Sequence, residues 1–179
     1  MTEFPDRPKI YSHVTRTRFL HLEDSLNVGA GKVRFFLGSY GKGNNATTVS
    51  TYHFLDAADA RVLFSDISWG KPVTYTDYKG SRQPGGEILS RVLKIKYQLN
   101  PNPAKAPGYW IEIQNGEGEM IGEGAVKPKG KPSADVSIFL DTWEARKMAY
   151  ATLAYMQAYQ TGQPILEQIT ALIRRTDRE

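Results

Sequence analysis

The octets FLDAADAR (Phe54–Arg61) and FLDTWEAR (Phe139–Arg146) stand 85 positions apart, share five identical letters and carry an acid, Asp59 or Glu144, at a sixth. In each, a Phe-Leu pair precedes an aspartate suited to accept a hydrogen bond from a free amide of a first helical turn. The acid three residues on favours the positive end of a helix dipole. Both octets therefore read as strand-to-helix junctions in which Asp56 and Asp141 cap. Downstream, Ala60, Leu63, Phe64 and Ile67 share one helical face, and Ala145, Met148, Ala149, Thr152, Met156 and Tyr159 share another. One structural unit is written twice.

Upstream of the first octet, residues 16–23, 31–40 and 46–54 are β-branched or aromatic runs separated by Gly- and Asn-rich turns. Upstream of the second, residues 88–100 alternate clearly, with Leu93, Ile95 and Tyr97 against Lys94, Lys96 and Gln98. Further strands follow at 109–115, 119–126 and 135–140, with GEG read as a turn. Residues 1–15 read as an irregular lead-in, and 71–87, rich in Gly and Pro, as a mobile linker. Gly162 reads as a helix end before Pro164, so Ile165, Leu166, Ile169, Leu172 and Ile173 are assigned to a separate closing helix.

The expected fold is α+β, a single domain over 1–179 made of two pseudo-symmetric antiparallel β-sheet-plus-helix repeats, β-β-β-β-α twice, with a C-terminal helix. Repeat one spans about 16–70, the linker 71–87, repeat two about 88–161 and the last helix about 164–175.

Composition narrows the function. A hydrophobic share of 40% and a charged share of 23% suit a folded globular chain. There is no cysteine, so thiol catalysis and cysteine-held zinc are excluded. His13, His21 and His53 are scattered without metal-ligand spacing, and no nucleophile elbow or phosphate loop occurs. No enzyme activity, catalytic residue, metal or cofactor is expected. No apolar run is long enough to span a bilayer and the N-terminus has no apolar signal core, which points to a cytoplasmic protein without membrane contact, nucleoid-associated in a prokaryote. Residues 1–100 hold 14 Lys and Arg against 9 Asp and Glu, whereas residues 101–179 hold 9 against 10. A basic first half suits a polyanionic partner.

Two β-β-β-β-α units in one chain, with basic and aromatic residues on the strands, resemble the Whirly single-stranded DNA-binding proteins. The positive transcription cofactor 4 domain, which reaches the same shape by dimerising, and the kinetoplastid guide-RNA-binding proteins are similar too. The resemblance covers about residues 16–159 and is architectural. The lysine-glycine-lysine motif of the Whirly family is absent from the early strand, where Gly31-Lys32 is the nearest counterpart; Lys129-Gly130-Lys131 lies in the second repeat. The resemblance implies binding of single-stranded nucleic acid on the sheet face that the helices leave open.

Sequence-tolerant binding needs cations that track phosphates and rings on which bases stack. Along residues 32–40, Lys32, Arg34, Phe36 and Tyr40 share one face while Val33, Phe35 and Leu37 share the other. Lys94 and Lys96 are assigned to the polar face of the equivalent strand of the second repeat, and Trp110 is a second candidate stacking platform. Lys127, Lys129 and Lys131 are spaced by two in a Pro- and Gly-rich loop, and Lys71, Lys79 and Arg82 interleave with Tyr75 and Tyr78 in the linker. The expected partner is single-stranded DNA with little base preference. RNA stays open, because no residue reads a 2′-hydroxyl. So does a non-enzymatic assembly module, or a homo-oligomer, held together by the C-terminal helices.

Overall fold

A computed structural model describes the backbone of residues 7–41, 47–122 and 125–176, and side chains as far as residue 166. The chain is α+β. A first antiparallel sheet is the meander β1 (Lys9–Val14), β2 (Arg18–Ser25), β3 (Lys32–Tyr40) and β4 (Thr47–Asp56), followed by helix α1 (Ala57–Ser68). A second is built from β5 (Thr74–Arg82), β6 (Ile88–Gln98), β7 (Gly108–Met120), β8 (Val126–Pro128) and β9 (Ala134–Asp141), followed by α2 (Thr142–Thr176). In it β5 pairs with β6 and β6 with β7; β9 pairs with β7 from Gly108 to Asn115 and β8 with the end of β7.

Alternation explains which side each strand buries. Leu20, Leu22, Val33, Phe35, Leu37 and Leu55 face inward from the first sheet onto Leu63, Phe64 and Ile67 of α1. Leu93, Ile95, Ile111, Ile113, Ile138 and Leu140 do the same from the second sheet, onto Ala145, Met148, Ala149 and Met156 of α2. Both sets belong to one continuous core, and the two helices pack against each other.

The two octets occupy matching places: Phe54 and Phe139 each stand two residues before the end of the last strand, and a helix starts after Asp56 and Asp141. Counting back from them, Lys32 pairs with Asp56 as Gly108 pairs with Asp141, so β3 corresponds to β7 and β2 to β6. This corrects the assignment of Lys94 and Lys96 to the counterpart of the 32–40 strand; they lie on β6, the counterpart of β2.

Residues 9–14 are β1, not a lead-in, and the expected linker contains β5, which is paired to β6 along its whole length. β1 and β5 border their sheets, and their inward positions are Tyr11 and His13, or Tyr75, Asp77 and Lys79, so no apolar alternation betrays them. The GEG segment continues β7 through Glu117, because Gly118 and Gly80 make room for Val126 of β8: a Cβ on either would stand 2.7 or 2.4 Å from its side chain. At the C-terminus α2 runs through Gly162 and Pro164 as one helix of 35 residues. The carbonyl that Pro164 leaves unbonded is that of Gln160, an exposed position where water can take it. The side chains of Ile169, Leu172 and Ile173 lie outside the described residues.

The sheets interlock reciprocally. Tyr52 of β4 exchanges two 3.0 Å hydrogen bonds with the side-chain amide of Asn115 on β7, its backbone N–H donating and its carbonyl accepting. Arg91 of β6 reaches the Tyr52 hydroxyl at 3.3 Å, and its counterpart Arg18 of β2 donates to the carbonyl and hydroxyl of Ser137 on β9, the counterpart of Tyr52. At Tyr52 the border strand β4 is therefore engaged by the other repeat.

Candidate nucleic-acid interface

With helices on the inner side, the outer side of β2, β3 and β4 carries Phe19, His21 and Glu23, then Lys32, Arg34, Phe36 and Tyr40, then Tyr52 and Phe54. Register brings the rings together. Phe19 stacks on His21 at 4.7 Å between centroids and lies 5.4 Å from Phe36 and 5.3 Å from Tyr40; Tyr52 meets Phe54 edge-on at 5.8 Å. Gly38 is the floor of this cluster. An added Cβ there would come within 2.3 Å of the Phe19 ring, so the ring lies flat only because position 38 has no side chain.

Arg34 joins the two groups of rings. Its guanidinium lies 4.7 Å from the Phe36 centroid and 5.1 Å from that of Tyr52, and it donates to Glu23 Oε2 at 2.6 Å. Both charged residues are buried, at 4% and 6% exposure. Arg34 is thus a stacking and orienting cation inside the ring strip, not the solvated one its place in the alternation implied. Phe36, Tyr40, Tyr52 and Phe54 are half-buried, with ring surface left at the boundary with solvent.

The other candidates are distributed over several regions. Lys96 pairs across to Trp110, which pairs to Phe139, on the outer side of the second sheet; Lys94 is 3.6 Å from Glu112 there. Asp135 shares that side, and burial together with Glu112 raises its carboxyl. Lys127 and Lys129 are exposed and paired with Glu119 and Glu117 at 2.6 and 2.8 Å, so they lie along a hairpin instead of splaying freely; Lys131 is exposed nearby. Lys71 pairs with Asp66 at 2.7 Å at the end of α1. Tyr78 and Arg82 are exposed on β5, whereas Tyr75 turns inward against the core.

Lys32 and Lys79 converge on one carboxylate: each Nζ lies 2.5 Å from an oxygen of Asp56. Their hydrogen bonds hold Asp56 below the usual carboxylate range. This overturns one expectation, since Asp56 makes no side-chain cap on α1, while Asp141 does cap α2, accepting from the Glu144 amide at 2.8 Å. Beside them, burial pushes the His53 imidazole below its usual range despite its 2.9 Å hydrogen bond to Asp77.

Sequence reading missed Phe19, His21, Tyr52 and Phe54. Their signal was present in the same period-two alternation that exposed Phe36, once β2 and β4 are read on both faces. Comparison with models of protein families, with curated proteins and with solved structures gives no match for this chain. No helix among the described residues is long and apolar enough to cross a membrane. Those residues also contain no cluster of metal-ligating side chains.

Proposed function

We propose that the protein binds single-stranded nucleic acid, DNA foremost, with little base preference, as the architectural resemblance to the Whirly proteins implies. The observation that carries this reading is the ring strip of the first sheet, whose half-buried members Phe36, Tyr40, Tyr52 and Phe54 reach the solvent boundary with Arg34 stacked between Phe36 and Tyr52. Rings at a sheet surface offer stacking to any base, and neighbouring Lys32 and Arg91 offer positive charge to the backbone that links the bases. RNA offers the same two features and is the alternative ligand. A cytoplasmic setting, on nucleoid DNA in a prokaryote, accompanies this reading, and binding requires no catalytic group or cofactor. Self-association belongs to it as well, because α2 extends past Met156, its last buried residue among those described, and exposes Ile165.

Fluorescence anisotropy with a thymine oligonucleotide, duplex DNA and RNA at two salt concentrations tests the proposal. Single strands should bind, more weakly as salt rises, and duplex should bind less well. Phe36→Ala combined with Tyr40→Ala should weaken the oligonucleotide complex while the thermal melt stays cooperative; unchanged affinity removes the ring strip from the reading.

A further inference from the structure

Where the outer side of the first sheet meets β5 and β6, a groove of about 220 Å³ is lined by Arg7, Lys32, Phe54, Lys79, Gly80 and Arg91. Four of these residues are cations. Lys32 and Lys79 share Asp56, and Lys79 also stands 3.7 Å from Asp77. The two arginines are held by neutral groups: Arg7 donates to the Ser25 hydroxyl at 2.7 Å, and Arg91 to the hydroxyls of Tyr52 and Ser81 at 3.3 and 3.1 Å. Neither pairs with a carboxylate among the described residues, and each leaves a buried Nε without a hydrogen-bond partner. Arg91 is only 8% exposed. A guanidinium removed from water without a counter-charge is costly, and it persists where an anion can reach it.

The corner related to this one by the internal repeat shows that the fold does not require this arrangement. There Gly108 replaces Lys32 in register, and Arg18, the counterpart of Arg91, spends its guanidinium on Ser137; Lys79 pairs with Arg91, whereas Arg18 is met by Thr15, whose N–H donates to its carbonyl. Asp141 caps its helix there. At the first junction the same aspartate gives up the cap to stand between two lysines.

We infer that this groove is a dedicated phosphate pocket, in which Asp56 holds Lys32 and Lys79 in place until a phosphoryl oxygen supplants it and Arg7 and Arg91 close on the same group. It deepens the single-strand reading by giving the strand one fixed anchor beside Phe54, at the end of the ring strip. An internal phosphodiester and a terminal phosphate share the chemistry. Asp56 is then a competitor for the ligand, which a purely structural junction residue is not.

The experiment follows amide shifts of the labelled full-length protein during titration with inorganic pyrophosphate, and separately with a thymine oligonucleotide carrying or lacking a 5′-phosphate. Pyrophosphate should move Gly80 and Phe54 and leave Gly108 and Arg18 in place. Lys32→Gln with Lys79→Gln should lower pyrophosphate affinity about tenfold, the scale of losing charge-assisted contacts. Asp56→Asn, which retains a side chain able to cap, should raise it severalfold. A preference for the 5′-phosphorylated oligonucleotide assigns the pocket to strand ends, and equal affinity with the same shifts assigns it to internal diesters. Oligonucleotide binding without any pyrophosphate shift at Gly80, or weaker binding by Asp56→Asn, overturns the pocket and leaves the ring strip standing. Pyrophosphate binding without oligonucleotide binding keeps the pocket and removes the single-strand reading.

Discussion

The two repeats share a register and differ in what that register displays. Facing outward, the first sheet sets Phe36 and Tyr52 around Arg34, and the second sets Glu112 and Ser137 around Trp110 at the same positions. One side is ring-rich, with Glu23 buried in an ion pair and Asp56 held by two lysines; the other mixes Lys94 and Lys96 with Glu112 and Asp135. The inner faces, by contrast, are interchangeable in character, Leu20, Leu22 and Phe35 answering to Leu93, Ile95 and Ile111. Packing constrains both copies alike, so the divergence of the outer faces is where function is to be sought.

The comparison can be broken most sharply at its centre. Arg34→Met leaves Glu23 buried without its partner and should cost about 3 kcal/mol in urea denaturation, whereas Trp110→Met at the half-exposed counterpart should cost about 1 kcal/mol. Equal losses would mean that Arg34 is no more integrated than its counterpart. Next come the rings: Phe36→Ala should weaken the thymine oligonucleotide complex by about 1 to 3 kcal/mol, and Glu112→Ala should leave it unchanged or tighten it. The junctions separate by less. Asp141→Ala removes a real cap and should lower stability by about 1 kcal/mol, while Asp56→Ala removes none and should lower it less.

Acid sharpens the contrast in another way. Burial lowers His53, and burial with Lys9 lowers His21 to about 4. The unfolded chain therefore takes up these protons first. Stability should be full above about pH 6.5 and fall as pH drops from there toward the folded values. His53→Ile, which installs the residue type of its counterpart Ile138, should flatten that slope in melts taken between neutral and mildly acidic pH. The smallest effect belongs to the hairpin lysines. Lys127, Lys129 and Lys131 changed together to Gln should leave the melting temperature unmoved and alter the salt slope of binding less than Lys32→Gln with Lys79→Gln, because Lys127 and Lys129 pair one to one with exposed acids on a hairpin whereas Lys32 and Lys79 share one carboxylate in a groove with two arginines.

Much of this was legible in the letters. The octets located both junctions, β-branched and aromatic runs located β2, β3 and β4, alternation located β6, and β9 and the first part of β7 were placed as strands between turn residues. β1 and β5 were not legible: sheet-border strands whose inner positions are Tyr, His, Asp and Lys carry no hydrophobic period. A third of the ring strip was visible, in Phe36 and Tyr40. The Arg34 to Glu23 pair depends on the register of β2 against β3, and the meeting of Lys79 with Asp56 joins different sheets, so neither follows from local spacing. The octet also misled, since its aspartates look alike and only one caps.

Tyr11, on the first strand of one repeat, donates to Glu144 in the opening turn of the other repeat's helix, and Arg146 of that helix ties to the last turn of α1 through Ser68. Each half thus finishes the other, as the protomers of a dimer would. A chain severed between α1 and β5 should give two fragments that are each soft and incomplete alone but reassemble on mixing, so that fusion of the halves would have spared a bimolecular encounter rather than created a new shape.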